Sequence, residues 1–258
     1  MTEERRLRAH TIRGTFGSRE VFGAISRHPI ASIQFLRGEK HPLRSLLAWE
    51  VACRALGLTS RYPEPSSHIE SLADLQSQIT GRQRDWPDWD SSQMSTIKGP
   101  LLYHLVRLSR PDAIVETGVA SGVSSCFILQ ALKDNRSGTL ASIDLPNMDP
   151  GALTPPWGGS GWMVPEPLRA RWTLELGDSR ALLPTVLSRL GSVGLFFHDS
   201  LHTYDHMLWE YETAWPYLKP AGLLVSDDIS RNDAFSEFCR SRRMTYRVVG
   251  GFGIARRS

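Results

Sequence analysis

Asp199, His202, Asp227 and Asp228 are residue types that hold cations and move protons, and they fall at the ends of two apolar runs. The runs, 193–197 (VGLFF) and 223–225 (LLV), are short, continuous and rich in strand formers, so both read as buried strands of a parallel sheet. Between them Met207, Leu208, Tyr211, Ala214, Trp215 and Leu218 share one helical stripe, and Lys219-Pro220 with Gly222 ends it. Strand, helix and strand in a right-handed crossover bring Asp199 and the Asp227-Asp228 pair to the same carboxyl edge, where open α/β sheets bind ligands. His202 lies at the mouth of that edge, at the start of the helix. Three carboxylates in one crevice repel each other, and a divalent cation with oxygen ligands is one arrangement that offsets the repulsion. Capping of the following helices by Asp199 or Asp228 is the simpler alternative. His198 points the other way along its strand, and His206 lies one turn further down the helix.

The elements that must position these residues extend upstream. Residues 93–108 read as a helix leading into the sheet, closed by Pro111-Asp112. A strand from Ala113 runs into the turn Glu116-Thr-Gly118-Val-Ala-Ser-Gly122, and a helix follows over 123–133. Glycines there let a ligand approach the backbone, while free amides at the helix start present positive ends to it. Glu116 stands where a dinucleotide-binding turn has its first glycine. An acid there repels a pyrophosphate and suits a ligand carrying an ammonium group. The strand 139–143 ends at Asp144, placed to accept from ribose hydroxyls or to serve as a turn aspartate before Pro146. The strand 172–176 ends at Gly177-Asp178-Ser179, a helix covers 180–190, and 244–254 reads as two closing strands around Gly250-Gly251. Residues 147–169 are long for a loop and rich in glycine, proline and tryptophan. Trp157 and Trp162 favour a lid there over disorder.

The chain has 258 residues, enough for one large α/β domain with an appended piece. Its net charge of +3 is mild and makes no case for nucleic acid, although arginines cluster at 5–8 and 256–257. Cys53, Cys126 and Cys239 are far apart and match no metal spacing, so each reads as a small buried apolar residue in a reducing compartment. No stretch approaches a transmembrane length and no apolar leader follows Met1, so the expected location is the cytoplasm, away from membranes. Residues 1–92 form an N-terminal helical extension, with helices over 19–25, 43–56 and 68–79 and an aromatic loop carrying Trp86 and Trp89. The α/β domain is expected to span 93–258.

Glu116, Gly118 and Gly122 after the first strand, Asp144 after the second, Gly177-Asp178 after the third and Asp199 after the fourth together resemble the class I S-adenosylmethionine-dependent methyltransferases. The resemblance covers residues 90–258 and implies a Rossmann-like, doubly wound, mostly parallel seven-stranded sheet. Asp199-Ser-Leu-His202 followed by Asp227-Asp228 is similar to the metal-dependent O-methyltransferases of the catechol and macrolide-sugar types. The catechol type has lysine and asparagine where His202 and Asp228 stand, so this chain is closer to the sugar-modifying type. That group is also similar to proteins labelled cephalosporin hydroxylases.

The resemblance implies that Glu116 and the Gly118–Gly122 turn hold the methionine part of S-adenosylmethionine, with Ser124 near its carboxylate. Asp144 would bind the ribose, and Asp178 and Ser179 would flank the adenine. Asp199, Asp227 and Asp228 would hold Mg2+ or another hard divalent cation. A bound cation lowers the pKa of an alcohol, and His202, whose imidazole titrates near neutrality, is the expected base beside Asp199. The acceptor would be a hydroxylated small molecule, and the assembly a homo-oligomer, a dimer or tetramer. A non-catalytic cofactor-binding scaffold and a metal-dependent hydroxylase are the alternatives. The carboxylate-rich site is unlike the two-histidine, one-carboxylate set of non-haem iron, and Glu116 disfavours a nicotinamide dehydrogenase.

Overall fold

The computed structural model describes residues 25, 26, 29, 32, 42–58, 66–84, 94, 98–145, 159–249 and 251–258. The chain builds helices α1 (Pro42–Ala55), α2 (Ser66–Arg84) and α3 (Gly99–Ser109), then strand β1 (Ala113–Thr117), α4 (Val123–Asn135), β2 (Thr139–Asp144) and β3 (Trp172–Leu176). It continues through α5 (Ser179–Leu190), β4 (Val193–His198), α6 (Tyr204–Ala214), β5 (Leu218–Ser226), α7 (Ala234–Ser241), β6 (Tyr246–Val249) and β7 (Phe252–Arg256). The seven strands form one sheet in the order β3-β2-β1-β4-β5-β7-β6. The first five run parallel, and β7 is antiparallel to both of its neighbours.

The central strands are apolar on both faces because helices cover both. Alternate residues face opposite layers. Ile114, Phe197, Leu223 and Val225 pack with α1–α4 through Leu47, Leu75, Leu101 and Phe127. Val115, Phe196 and Leu224 pack with α5–α7 through Leu183, Met207, Tyr211 and Phe238. Strand order reverses between β1 and β4, which opens a crevice at the carboxyl edge. Hydrogen bonds carry the pairing past the strand ends there. The amides of Gly118, Gly177, Asp199 and Asp227 donate to the carbonyls of Ile143, Asp144, Thr117 and His198 at 2.8–2.9 Å. The residues that follow β1, β3, β4 and β5 therefore stay shoulder to shoulder.

Several boundaries differ from the sequence expectation. Helix α6 stops at Ala214 rather than continuing to 218, because Pro216 in the short 3₁₀ turn Trp215–Tyr217 supplies no amide for the α-helical ladder. β5 then begins at Leu218, with a register shift against β4. Of the 147–169 segment, 159–165 is a packed turn: Met163 and Val164 are buried, and the amides of Gly161 and Met163 donate to Ala120 and Ser121. Trp157, Trp86, Trp89, the arginines at 5–8 and the helix expected over 19–25, Ile25 apart, lie outside the described residues. No described helix is long and apolar enough to cross a membrane. All three cysteines are buried free thiols, and burial pushes Cys126 and Cys239 up to about 12.

Helices α1 and α3 meet at a buried histidine. His104 Nε2 lies 3.2 Å from Ser45 Oγ, and its Nδ1 has no hydrogen-bond partner among the described residues. Burial, with His68 and Arg107 nearby, pushes its pKa down to about 3. Below about pH 6.5 an unfolded chain protonates this imidazole while the folded one does not. Its contribution is intact above that pH and is lost progressively as pH falls toward 3. Thermal melts from pH 7 to 4 should therefore show a steeper fall for the wild type than for His104→Gln, which keeps a side-chain partner for Ser45 without the titration.

Candidate active site

A crevice of about 500 Å³ opens at the β1/β4 switch, lined by Gly118–Ala120, Asp144, Asp178, Ser179, Asp199 and Ser200 among others. This lies within the roughly 300–1,000 Å³ of small-molecule sites. Gly118 sits at φ +83°, and a Cβ there would come within 2.0 Å of the Asp199 carbonyl, so only glycine lets the β1 turn pass the end of β4. Asp144 accepts from the Val119 amide at 3.0 Å and from the Ser160 hydroxyl. Asp178 caps α5 by accepting from the Arg180 amide at 2.8 Å.

Glu116 and Ser124 do not line this crevice. Glu116 is fully buried, with one oxygen accepting from Ser124 at 2.6 Å and the other from Ser125 and Ser142 at 2.6 Å each. Burial raises its pKa, and the three hydroxyls oppose the rise. Gly122, at φ +91°, is a packing position, since a Cβ there would meet Gly161 at 2.8 Å.

The sequence reading missed Glu210. This buried carboxylate of α6 accepts from Thr117 Oγ1 at 2.5 Å and His198 Nδ1 at 2.7 Å on one oxygen. On the other it accepts from Ser200 at 2.9 Å and His206 Nε2 at 2.9 Å. Burial pushes its pKa up, but the bonds from His198 and His206 prevail and hold it below the usual carboxylate range. The signal was available: Glu210 lies three residues after Met207 and four before Ala214, an acid on an apolar stripe. His206 also lies 3.1 Å from Ser179, so the network reaches the α5 side of the crevice.

His202 is packed edge-on to His198, with ring centroids 5.3 Å apart. Its Nε2 is 3.7 Å from Asp199 Oδ1 and has no hydrogen-bond partner among the described residues. Burial and then His198 push its pKa down, against the pull of Asp228 and Asp227. At neutral pH it is a neutral imidazole with a free nitrogen.

The three acids expected to share a divalent cation do not fit one as they stand. Lys98, also missed, is bonded through Nζ to Asp227 and lies 3.6 Å from Asp228 Oδ1. Asp228 turns its other oxygen to Arg231 Nε at 2.7 Å. Burial raises the Asp228 pKa, but Arg231 and Lys98 outweigh it and hold the carboxyl low. Burial and the Asp227 charge push Asp199 well above the usual range. No group of three or more His, Cys, Asp or Glu side chains among the described residues is arranged to hold a metal ion. The sequence argument treated the acids as uncompensated, and Lys98 removes that premise.

The Glu210 hub generates a test. Glu210→Gln keeps the volume but removes the charge that two histidines share, so the fold should lose roughly 2–4 kcal/mol in urea unfolding.

The model of a family described as "Methyltransferase domain" matches residues 115–229. Comparison with curated proteins returned no match. Among solved structures, the chain is similar to the O-methyltransferase TomG from Streptomyces achromogenes, in complex with SAM. The TM-score is 0.53 at 20% identity, over 81% of this chain and 96% of that one. It is also similar to the SAH-bound methyltransferase PaMTH1 from Podospora anserina, with a TM-score of 0.50 at 16% identity over 81% and 94% of the two chains. At these identities the structures speak for the fold, and the matched residues run from inside β1 to just past β5. Residues 115–229 thus match a methyltransferase-domain family, and the fold around them is the one that TomG and PaMTH1 have.

Proposed function

We propose that this protein transfers a methyl group from S-adenosylmethionine to a hydroxyl oxygen of a small molecule. The observation that carries this reading is the single crevice onto which Gly118, Asp144, Asp178 and Asp199 open from four successive strand ends. The residues present fit the cofactor. Gly118 would let its methionine part approach the backbone, Asp144 would accept from its ribose hydroxyls, and Asp178 and Ser179 would flank its adenine. Glu116 and Ser124 are assigned a supporting role, since they already satisfy each other. Bound S-adenosylmethionine supplies a methyl on a positively charged sulfur, which takes up the electron pair as that bond breaks.

The remaining tasks belong to the chain. His202 Nε2, unpartnered and neutral, takes the proton of the acceptor hydroxyl as the oxygen–methyl bond forms. The charges of Asp228 and Asp227 favour the imidazolium that results. Alignment of the acceptor oxygen is the rest of the catalysis. No step is assigned to magnesium, because Lys98 Nζ is already bonded to Asp227 and lies 3.6 Å from Asp228. The oxygen acceptor follows the naming of TomG, whose fold this chain shares.

Calorimetric titration with S-adenosylmethionine and S-adenosylhomocysteine should give saturable binding, and its absence would sink the reading. Asp144→Ala should weaken that binding by about tenfold or more, the worth of a charge-assisted hydrogen bond. His202→Ala should keep S-adenosylhomocysteine affinity while methyl transfer falls by roughly 10²–10⁴. Equal loss of both would make His202 structural.

A further inference from the structure

Lys98 is held as a fixed part rather than a surface charge. It is 6% exposed, and its ammonium lies 5.9 Å from the ring centroid of the fully buried Phe252. The next residue leaves no room for adjustment: a Cβ on Gly99 would lie 2.3 Å from the Phe127 ring and 2.5 Å from the Met94 carbonyl. Lys98 precedes α3 with helical backbone angles, φ −67° and ψ −40°, and its side chain makes no cap hydrogen bond. The acids hold its charge. Asp227 is bonded to it, Asp228 is 3.6 Å away, and Asp199 feels the same ammonium.

We propose that the Lys98 ammonium is the built-in cation of the acid cluster of Asp199, Asp227 and Asp228 beside the crevice, standing where the carboxylates would otherwise gather a divalent ion, and that methyl transfer here needs no added metal. A divalent ion entering the cluster must displace or repel a tethered positive charge in a poorly solvated place. Removing that charge leaves Asp227 buried and unpaired and opens the cluster to a hard cation. The metal-free transfer rests on the methyltransferase reading, whereas the cation assignment does not.

The test is Mn2+ titration, followed by the paramagnetic signal of the free ion, on the wild type, Lys98→Met and Lys98→Met/Asp227→Asn. Each protein is also titrated with S-adenosylhomocysteine. The wild type should take up no Mn2+ at this cluster. Lys98→Met should gain one site, at least about tenfold tighter than any wild-type binding, and the double variant should lose it. Mn2+ should raise the melting temperature of Lys98→Met and not that of the wild type. Stoichiometric Mn2+ uptake by the wild type that Asp227→Asn removes would overturn the proposal, as would unchanged Mn2+ affinity in Lys98→Met. Should Lys98→Met fail to fold, Lys98→Gln carries the same comparison, and the wild-type titration decides without either. Loss of S-adenosylhomocysteine binding in all the proteins, the wild type included, would overturn the methyltransferase reading while leaving the Mn2+ result to judge Lys98.

Discussion

A buried negative charge on α6 governs the shape of the crevice. Taking Glu210 out of water costs several kcal/mol, and four donors from β1, β4, the 199–203 loop and α6 itself offset that cost. Each bond fixes a piece of the wall. Thr117 and His198 end the two strands at the switch point, Ser200 sits in the loop between β4 and α6, and His206 lies in the first turn of α6. The bond to His198 Nδ1 orients that ring and so sets the surface against which His202 packs edge-on. The free nitrogen of His202 is thus a remote consequence of a carboxylate that touches no ligand.

Much of the architecture was legible in the sequence because parallel sheets write themselves plainly. AIV, which opens β1, and VGLFF are continuous apolar runs covered on both faces, and each strand carries polar residues at its carboxyl end. The resemblance carried by the strand-end residues implied the seven-stranded, doubly wound sheet. The boundary of α6 was misplaced because an apolar stripe runs unbroken through Pro216 to Leu218, and the stripe was weighed above the missing amide. Side-chain partnerships were far less legible. Glu116 reads as a ligand for an ammonium group, yet Ser124, Ser125 and Ser142 saturate it.

The acids after β4 and β5 teach the same lesson with opposite charge. Their clustering follows from topology, but whether they need an external cation depends on what else the chain delivers. Lys98 is 129 positions from Asp227 in sequence, and no local pattern connects the two. Left-handed backbone at Ala120 and Asp228, both non-glycine, marks the same edge as a place where conformational strain is tolerated.

Arg256, at the end of β7, donates through Nη1 to the Leu56 carbonyl at 2.6 Å, just past the C-terminus of α1. The two residues are 200 positions apart. During synthesis the carbonyl that follows α1 therefore waits for a donor made 200 residues later. The layer that α1 belongs to is completed by β7, and until then the nascent chain carries an apolar, half-built face.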